Sequence, residues 1–236
     1  MTAGARAKRV GMLAPMQPEL QPIVRMLGME GDGSLYRGIT GEGVEVVAML
    51  TNIGMSNGAN AAKRMLEHRV DHVMVVGIAG GLDQNVLRIG DVVVPEVVVR
   101  RSTERAVQPT FVGDIVPKGT LSCGDDLITD PAVLSVMAAG GVIAVDMETA
   151  AIGEVCDEAA MPWSVFRGIS DFAGEGLVDA ALFALTKLDG TVDQPALAKY
   201  LEENPDRRDV LVRLARDTNQ ATEAAAAAAI AACAAL

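Results

Sequence analysis

Four stretches of this chain end an apolar run on a carboxylate or a glycine cluster. Glu19 closes Ala14-Pro15-Met16-Gln17-Pro18-Glu19, Glu148 lies in Val145-Asp146-Met147-Glu148-Thr149-Ala150, and Asp171 closes Arg167-Gly168-Ile169-Ser170-Asp171. The fourth stretch, Val76-Gly77-Ile78-Ala79-Gly80-Gly81-Leu82, has glycines that let a backbone come close to a ligand. Strand ends in α/β sheets are where sites form, and a carboxylate there is suited to hold sugar hydroxyls or to move a proton. Each stretch also has a plainer reading. Glu19 after Pro18 suits a helix start, Glu148 suits the first turn of a helix, where the macrodipole favours its ionised form, and Ser170 or Asp171 can cap a loop. The glycine run can be a tight turn; it is not the dinucleotide fingerprint, because no Gly-x-Gly-x-x-Gly opens a helix. Other catalytic sets are weaker. His68 and His72 sit together near a helix end, and neither a Gly-x-Ser-x-Gly elbow nor a Cys/His pair is present.

The elements that must hold these residues follow from the alternation of β-rich apolar runs with helical stretches. Strands are expected at Val10 to Ala14, Val44 to Asn52, Val73 to Gly77, Asp91 to Val99, Val142 to Asp146 and Trp163 to Ile169. Helices are expected at Glu19 to Leu27, from Ser56 to His68, and from about Met147 to Ala159. The strands are nearly continuous in hydrophobicity, as when helices cover both faces of a sheet. Asn204-Pro205 reads as an N-cap pair opening a long closing helix, which the alanine run from Ala221 to Leu236 would finish. The expected fold is a single α/β domain over 1–236, with a helical insertion at about 179–204 whose Asp189-Gly190 is a turn.

Composition narrows the partners. Half the residues are hydrophobic and 22% are charged, the profile of a globular protein. A formal net charge of -11 without a long Lys/Arg run disfavours nucleic acid. Cys123, Cys156 and Cys233 have neither metal-ligand nor disulfide spacing, which suits a reducing cytoplasm. The basic start, Met1 to Arg9, leads into an apolar stretch cut by Pro15 and Pro18, so no export signal is expected. The alanine run is too short and too weakly apolar to span a membrane.

In order and spacing, these segments resemble the purine nucleoside phosphorylase and nucleosidase superfamily, most closely the methylthioadenosine/S-adenosylhomocysteine nucleosidases. The matching features are Gly11 to Glu19, Asn52-Ile53-Gly54, Gly77 to Leu82 with Ile89 to Val94, Ala144 to Ala150, and Arg167 to Asp171. The resemblance implies a twisted, partly barrel-like mixed sheet flanked by helices, and hydrolysis of the N-glycosidic bond of a purine, adenine above all, ribonucleoside. It implies no cofactor or metal, a small-molecule nucleoside as partner, and a homodimer or higher homo-oligomer. By the same resemblance Asp171 protonates the purine at N7 with Ser170 orienting it, Glu148 beside Met147 binds ribose hydroxyls, and Glu19 positions the attacking water. Ile53, Ile78, Ala79, Gly80, Leu127 and Ile128 would line the ribose and base pocket. Leu127 is aliphatic where relatives often stack an aromatic on the purine, and Phe172 is expected to compensate.

The superfamily divides by nucleophile. Phosphorolysis needs cationic and hydroxyl ligands near the first strand and the glycine loop, but Pro15 to Glu19 has no arginine and Ile78 cannot donate from its side chain. Glu19 would repel phosphate. Hydrolysis is the reading; a phosphorylase, and a nucleoside-binding protein without turnover, are the alternatives. Relative to those nucleosidases the chain is shorter between Val99 and Leu121 and longer between Phe172 and Asn204, where the family builds its 5′-substituent pocket.

Overall fold

In the computed structural model, which describes residues 8–236, the chain opens with β1 (Arg9–Ala14) and α1 (Gln17–Leu27). A hairpin of β2 (Glu30–Gly31) and β3 (Leu35–Ile39) follows, then β4 (Glu45–Leu50) and α2 (Met55–Glu67). After β5 (His72–Gly81) come β6 (Val92–Val93), β7 (Val97–Arg100), β8 (Arg105–Val107), β9 (Thr120–Cys123) and α3 (Pro131–Ala139). The remainder comprises β10 (Val142–Asp146), α4 (Thr149–Glu158), β11 (Trp163–Phe172), α5 (Ala180–Phe183), α6 (Gln194–Glu203) and α7 (Arg207–Ala232). Most of the basic start, Met1 to Ala7, lies outside the described residues. Among the described residues no helix is long and apolar enough to cross a membrane.

The described strands join one mixed sheet in the order β2-β3-β4-β1-β5-β10-β9-β7-β8, with β11 paired to β5 and β6 off that path. The sheet does not close into a barrel. Its junction is β5. The first half of β5 runs parallel to β1, Gly80 and Gly81 at its end pair antiparallel with β10, and its other edge carries β11 along almost its whole length. Three carboxylate-bearing stretches are thereby drawn to one region: the β1–α1 junction, the end of β10 and the end of β11.

Successive residues of β5 point to opposite faces, and both faces are buried. Val73 and Val75 join a core cluster with Leu13, Met65, Ile152 and Val165. Met74 and Val76 join another with Met12, Leu20, Ile23, Phe166 and Ala225. The alanines of α7 let it lie close to the sheet: Ala221, Ala225, Ala226 and Ala229 have no exposure. Gly168 of β11 makes this approach possible, since a Cβ there would run into the Ala221 carbonyl.

Several expected boundaries move. The Asp91 to Val99 run is interrupted and forms the separate strands β6 and β7, while β5 and β11 run on through Gly81 and Phe172. Ser56 lies inside α2, whose N-cap is Gly54. Asn204 is the C-cap of α6, and α7 starts after Asp206, so Asn204-Pro205 does not open the last helix. The hairpin β2–β3, the short strands β8 and β9, and α3 have no counterpart in the sequence reading; they are short, and α3, although Asp130 caps it ahead of Pro131, lacks an amphipathic stripe.

The α7–β11 contact yields a stability prediction. Gly168→Ala forces a methyl against the backbone of α7 and is expected to lower unfolding free energy by about 1–3 kcal/mol, measured by urea denaturation.

Candidate active site

Arg167 is fully buried in the middle of β11, a position that demands compensation. Three carboxylates supply it. Its Nη2 lies 2.5 Å from Asp146 Oδ2 and 3.3 Å from Glu148 Oε2, and its Nη1 lies 3.6 Å from Glu19 Oε1. The Thr149 hydroxyl accepts from Arg167 Nη2 at 2.9 Å and from Nε at 3.3 Å, and donates to Asp146 Oδ2. Among the described residues Nη1 has no hydrogen-bond acceptor.

Glu19, in the first turn of α1, is 1% exposed. Its Oε2 accepts from the Met16 N–H at 2.6 Å and its Oε1 from the Ile78 N–H at 2.7 Å. Burial pushes its carboxyl up to about 7, against the pull of Arg167 and of those two amides. Room for the Glu19–Arg167 contact is made by Gly77, because a Cβ at that position would overlap both side chains. That glycine therefore admits two protein side chains, where the sequence suggested a ligand.

Glu148 is the N-cap residue of α4, one position ahead of the first turn in which the sequence placed it. Asp146 caps instead, its Oδ1 accepting from the Thr149 N–H at 3.3 Å. Glu148 points toward the start of α2, where its Oε1 accepts from the Gly54 N–H at 2.9 Å. Burial raises its carboxyl above the usual carboxylate range, opposed by Arg167 and assisted by Asp146 and Glu19. Asp171 sits past a β-bulge between Ile169 and Asp171, which re-aims its side chain at the strand end. Its Oδ1 accepts from the Ser170 hydroxyl at 2.6 Å. Burial raises the Asp171 carboxyl, the Ser170 hydroxyl opposes that shift, and Glu175 adds to it.

Glu19, Asp146, Glu148 and Asp171 border one cavity of about 670 Å³, within the range of small-molecule sites, while Arg167 and Thr149 lie behind its wall. Glu19, Glu148, Asp171, Met147, Ser170, Ile53, Ile78, Ala79, Gly80, Leu127, Ile128 and Phe172 all line it. The fit is uneven at two of them. Leu127 is 38% exposed at the rim, and Phe172 is 7% exposed with its ring against Gly81, so the ring belongs to the core more than to the cavity. The far wall comes from Val178, Leu182, Phe183 and Val192, and from Leu211, Leu214 and Thr218 of α7. The 187–190 turn is tied to both catalytic edges: the Gln17 N–H donates to Asp189 O at 2.7 Å and the Ile53 N–H to Leu188 O at 2.8 Å.

The family model described as Phosphorylase superfamily matches residues 9–117 and 112–203 of the chain, which span every carboxylate of the site. The chain belongs to the phosphorylase superfamily. Within the superfamily, it is 31% identical over 166 residues to a 5′-methylthioadenosine/S-adenosylhomocysteine nucleosidase of Bacillus velezensis, covering 57% of this chain and 71% of that relative. The fold is shared with the nucleosidase of the same name from Helicobacter pylori, at TM-score 0.73 and 17% identity over 98% of this chain and 100% of the other. It is shared equally with a Helicobacter pylori futalosine hydrolase, at TM-score 0.72 and 17% identity over 98% of this chain and 99% of the other.

Arg167, Asp146 and Thr149 carried no assigned role in the sequence reading. Arg167 stood in an apolar strand without a local partner, and a charged residue inside a buried strand is itself a signal that carboxylates must converge on it. Because Glu19 has a raised carboxyl in the folded state, that state binds more protons than the unfolded one between about pH 4.5 and 7. Stability is therefore expected to fall as pH rises through that window, and Glu148 acts in the same direction. Urea denaturation at a series of pH values should show this slope in the wild type and a shallower one in Glu19→Gln.

Proposed function

We propose that the protein hydrolyses the N-glycosidic bond of a purine ribonucleoside, with adenine nucleosides of the methylthioadenosine and S-adenosylhomocysteine type as the first candidates. The observation that carries this reading is the position of Glu19. Its carboxylate already takes the Ile78 N–H, the glycine-loop amide that a phosphate nucleophile would need, and it faces Arg167 Nη1, which has no hydrogen-bond acceptor among the described residues. A buried carboxylate in the cavity wall, with Arg167 packed behind it, repels phosphate and suits a water molecule held by Glu19.

The chemistry then follows from the charges. Asp171, its carboxyl raised and held by Ser170, donates a proton to N7 as the bond between C1′ and N9 breaks and its electron pair passes to the ring. The base leaves neutral. Ribose becomes oxocarbenium-like, and Glu148 holds the 2′ and 3′ hydroxyls while the surrounding carboxylates stabilise the positive charge. Water adds to C1′ and its proton passes to Glu19, leaving free ribose moiety and free base. The relatives' names support a nucleosidase with these first candidates, and a futalosine hydrolase shares the fold.

A purified sample incubated with a panel of purine nucleosides, with and without phosphate, is expected to release base and free sugar at a rate independent of phosphate. Ribose 1-phosphate as product would sink the hydrolytic reading. Asp171→Asn and Glu19→Gln are each expected to reduce base release by about 10²-fold or more. The wild-type rate should rise on the acid side with a midpoint near 7, as Glu19 ionises. Base release by Asp171→Asn within a few-fold of wild type would remove the acid assignment.

A further inference from the structure

The segment Asp146-Met147-Glu148-Thr149 places two acids and a hydroxyl within four residues, and the mechanism above uses only Glu148. Thr149 has no exposure and Asp146 is 8% exposed, so neither reaches bulk solvent. The hydrogen bonds of the Thr149 hydroxyl are fully specified. Its one proton goes to Asp146 Oδ2, and its oxygen accepts from Arg167 Nη2 at 2.9 Å and Nε at 3.3 Å. A hydroxyl has one donor and two acceptor positions, so nothing is left over. With Asp146 2.5 Å from Nη2, two of the three guanidinium nitrogens are fixed on the α4 side. The planar group then has one orientation, in which Nη1 alone faces Glu19, the two meeting over Gly77 and filling the room it leaves.

We propose that Thr149 and Asp146 are positioning residues that set the orientation of Arg167 and thereby hold its Nη1 against Glu19, the carboxylate that takes the proton of the attacking water. The pair has a second effect. A bare guanidinium behind the cavity wall would oppose a sugar gaining positive charge, and Asp146, at ion-pair distance and in the wall itself, offsets that charge. Asp146, and not Glu148, caps the Thr149 amide, and Glu148 is held instead by the Gly54 N–H and Arg167 at the cavity wall. The charged groups facing Glu19 in this arrangement are Arg167 from β11, with Asp146 and Glu148 from the β10–α4 junction. The inference rests on the hydrolytic reading for its effect on rate, and on packing alone for its effect on Arg167.

The test uses Thr149→Val, which keeps shape and removes the hydroxyl, and Thr149→Ser, which restores it. Base release and its pH profile are measured for both and for wild type, together with hydrogen exchange of the Arg167 Nε–H by NMR. Expected for Thr149→Val are a fall in kcat of about tenfold or more with KM changed less, an acid limb displaced to higher pH, and faster Nε–H exchange. Thr149→Ser is expected to recover all three. A folded Thr149→Val protein with wild-type pH limb and wild-type Nε–H exchange would overturn the proposal, whatever its stability. If wild type releases no base from any nucleoside, the hydrolytic reading fails, and the exchange comparison still decides whether Thr149 holds Arg167.

Discussion

A guanidinium with no route to water occupies the middle of β11, and most of the site can be understood as what that charge requires. Removing an unpaired charge from water is prohibitive, so carboxylates from three separate places in the chain converge on it. Asp146 and Glu148 arrive from the end of β10, and Glu19 arrives from the start of α1. Three acids around one base leave an excess of negative potential, which is why burial can lift Glu19 and Glu148 toward neutrality without expelling them. The same excess suits a sugar that gains positive charge and disfavours an anionic nucleophile. Stability and chemistry are set by one cluster, and they pull in opposite directions as pH rises.

Much of this was legible in the residues. The β-rich runs that end on Glu19, Asp146-Met147-Glu148 and Ser170-Asp171 are strands that end at one cavity, because buried strands advertise themselves by continuous hydrophobicity. Pro18 with Glu19 marked the start of α1 correctly, since a first-turn proline and acid have a local cause. What failed had a non-local cause. Ser56 has the chemistry of a cap, yet the start of α2 is served by Glu148 on Gly54 and by Asp125 on Met55, at 2.9 and 2.7 Å. Those acids are 94 and 70 residues away, and no window around Ser56 contains them. Arg167 signals, by its place in an apolar strand, that acids must meet it, but not which acids. Its partners Glu19 and Asp146 lie outside any local window around it.

The glycines divide in an instructive way. Gly77 and Gly168 sit in strands, where glycine weakens the element, and each is explained by what passes over it. Glu19 and Arg167 cross one; the backbone of α7 crosses the other. Gly190, with φ near +78°, turns the chain against Met16, next to the two bonds that tie this segment to Gln17 and Ile53. The stretch absent from the expected family pattern is therefore fastened to the loops that carry Glu19 and that contact Glu148.

The double role of β5 has a consequence for how the molecule comes into being. Its first half can pair with β1 early in synthesis, but its second edge waits for β11, whose residues lie about ninety positions later. Local contacts form quickly and distant ones slowly, so the nascent chain holds an open sheet edge at Val73 to Gly81 until most of the polypeptide has emerged. The buried arginine arrives on that late strand. Before it docks, Glu19 has no cation to meet; once it docks, the carboxylates and the β5 edge are completed together, and the cavity waits only for the segment and helix that follow.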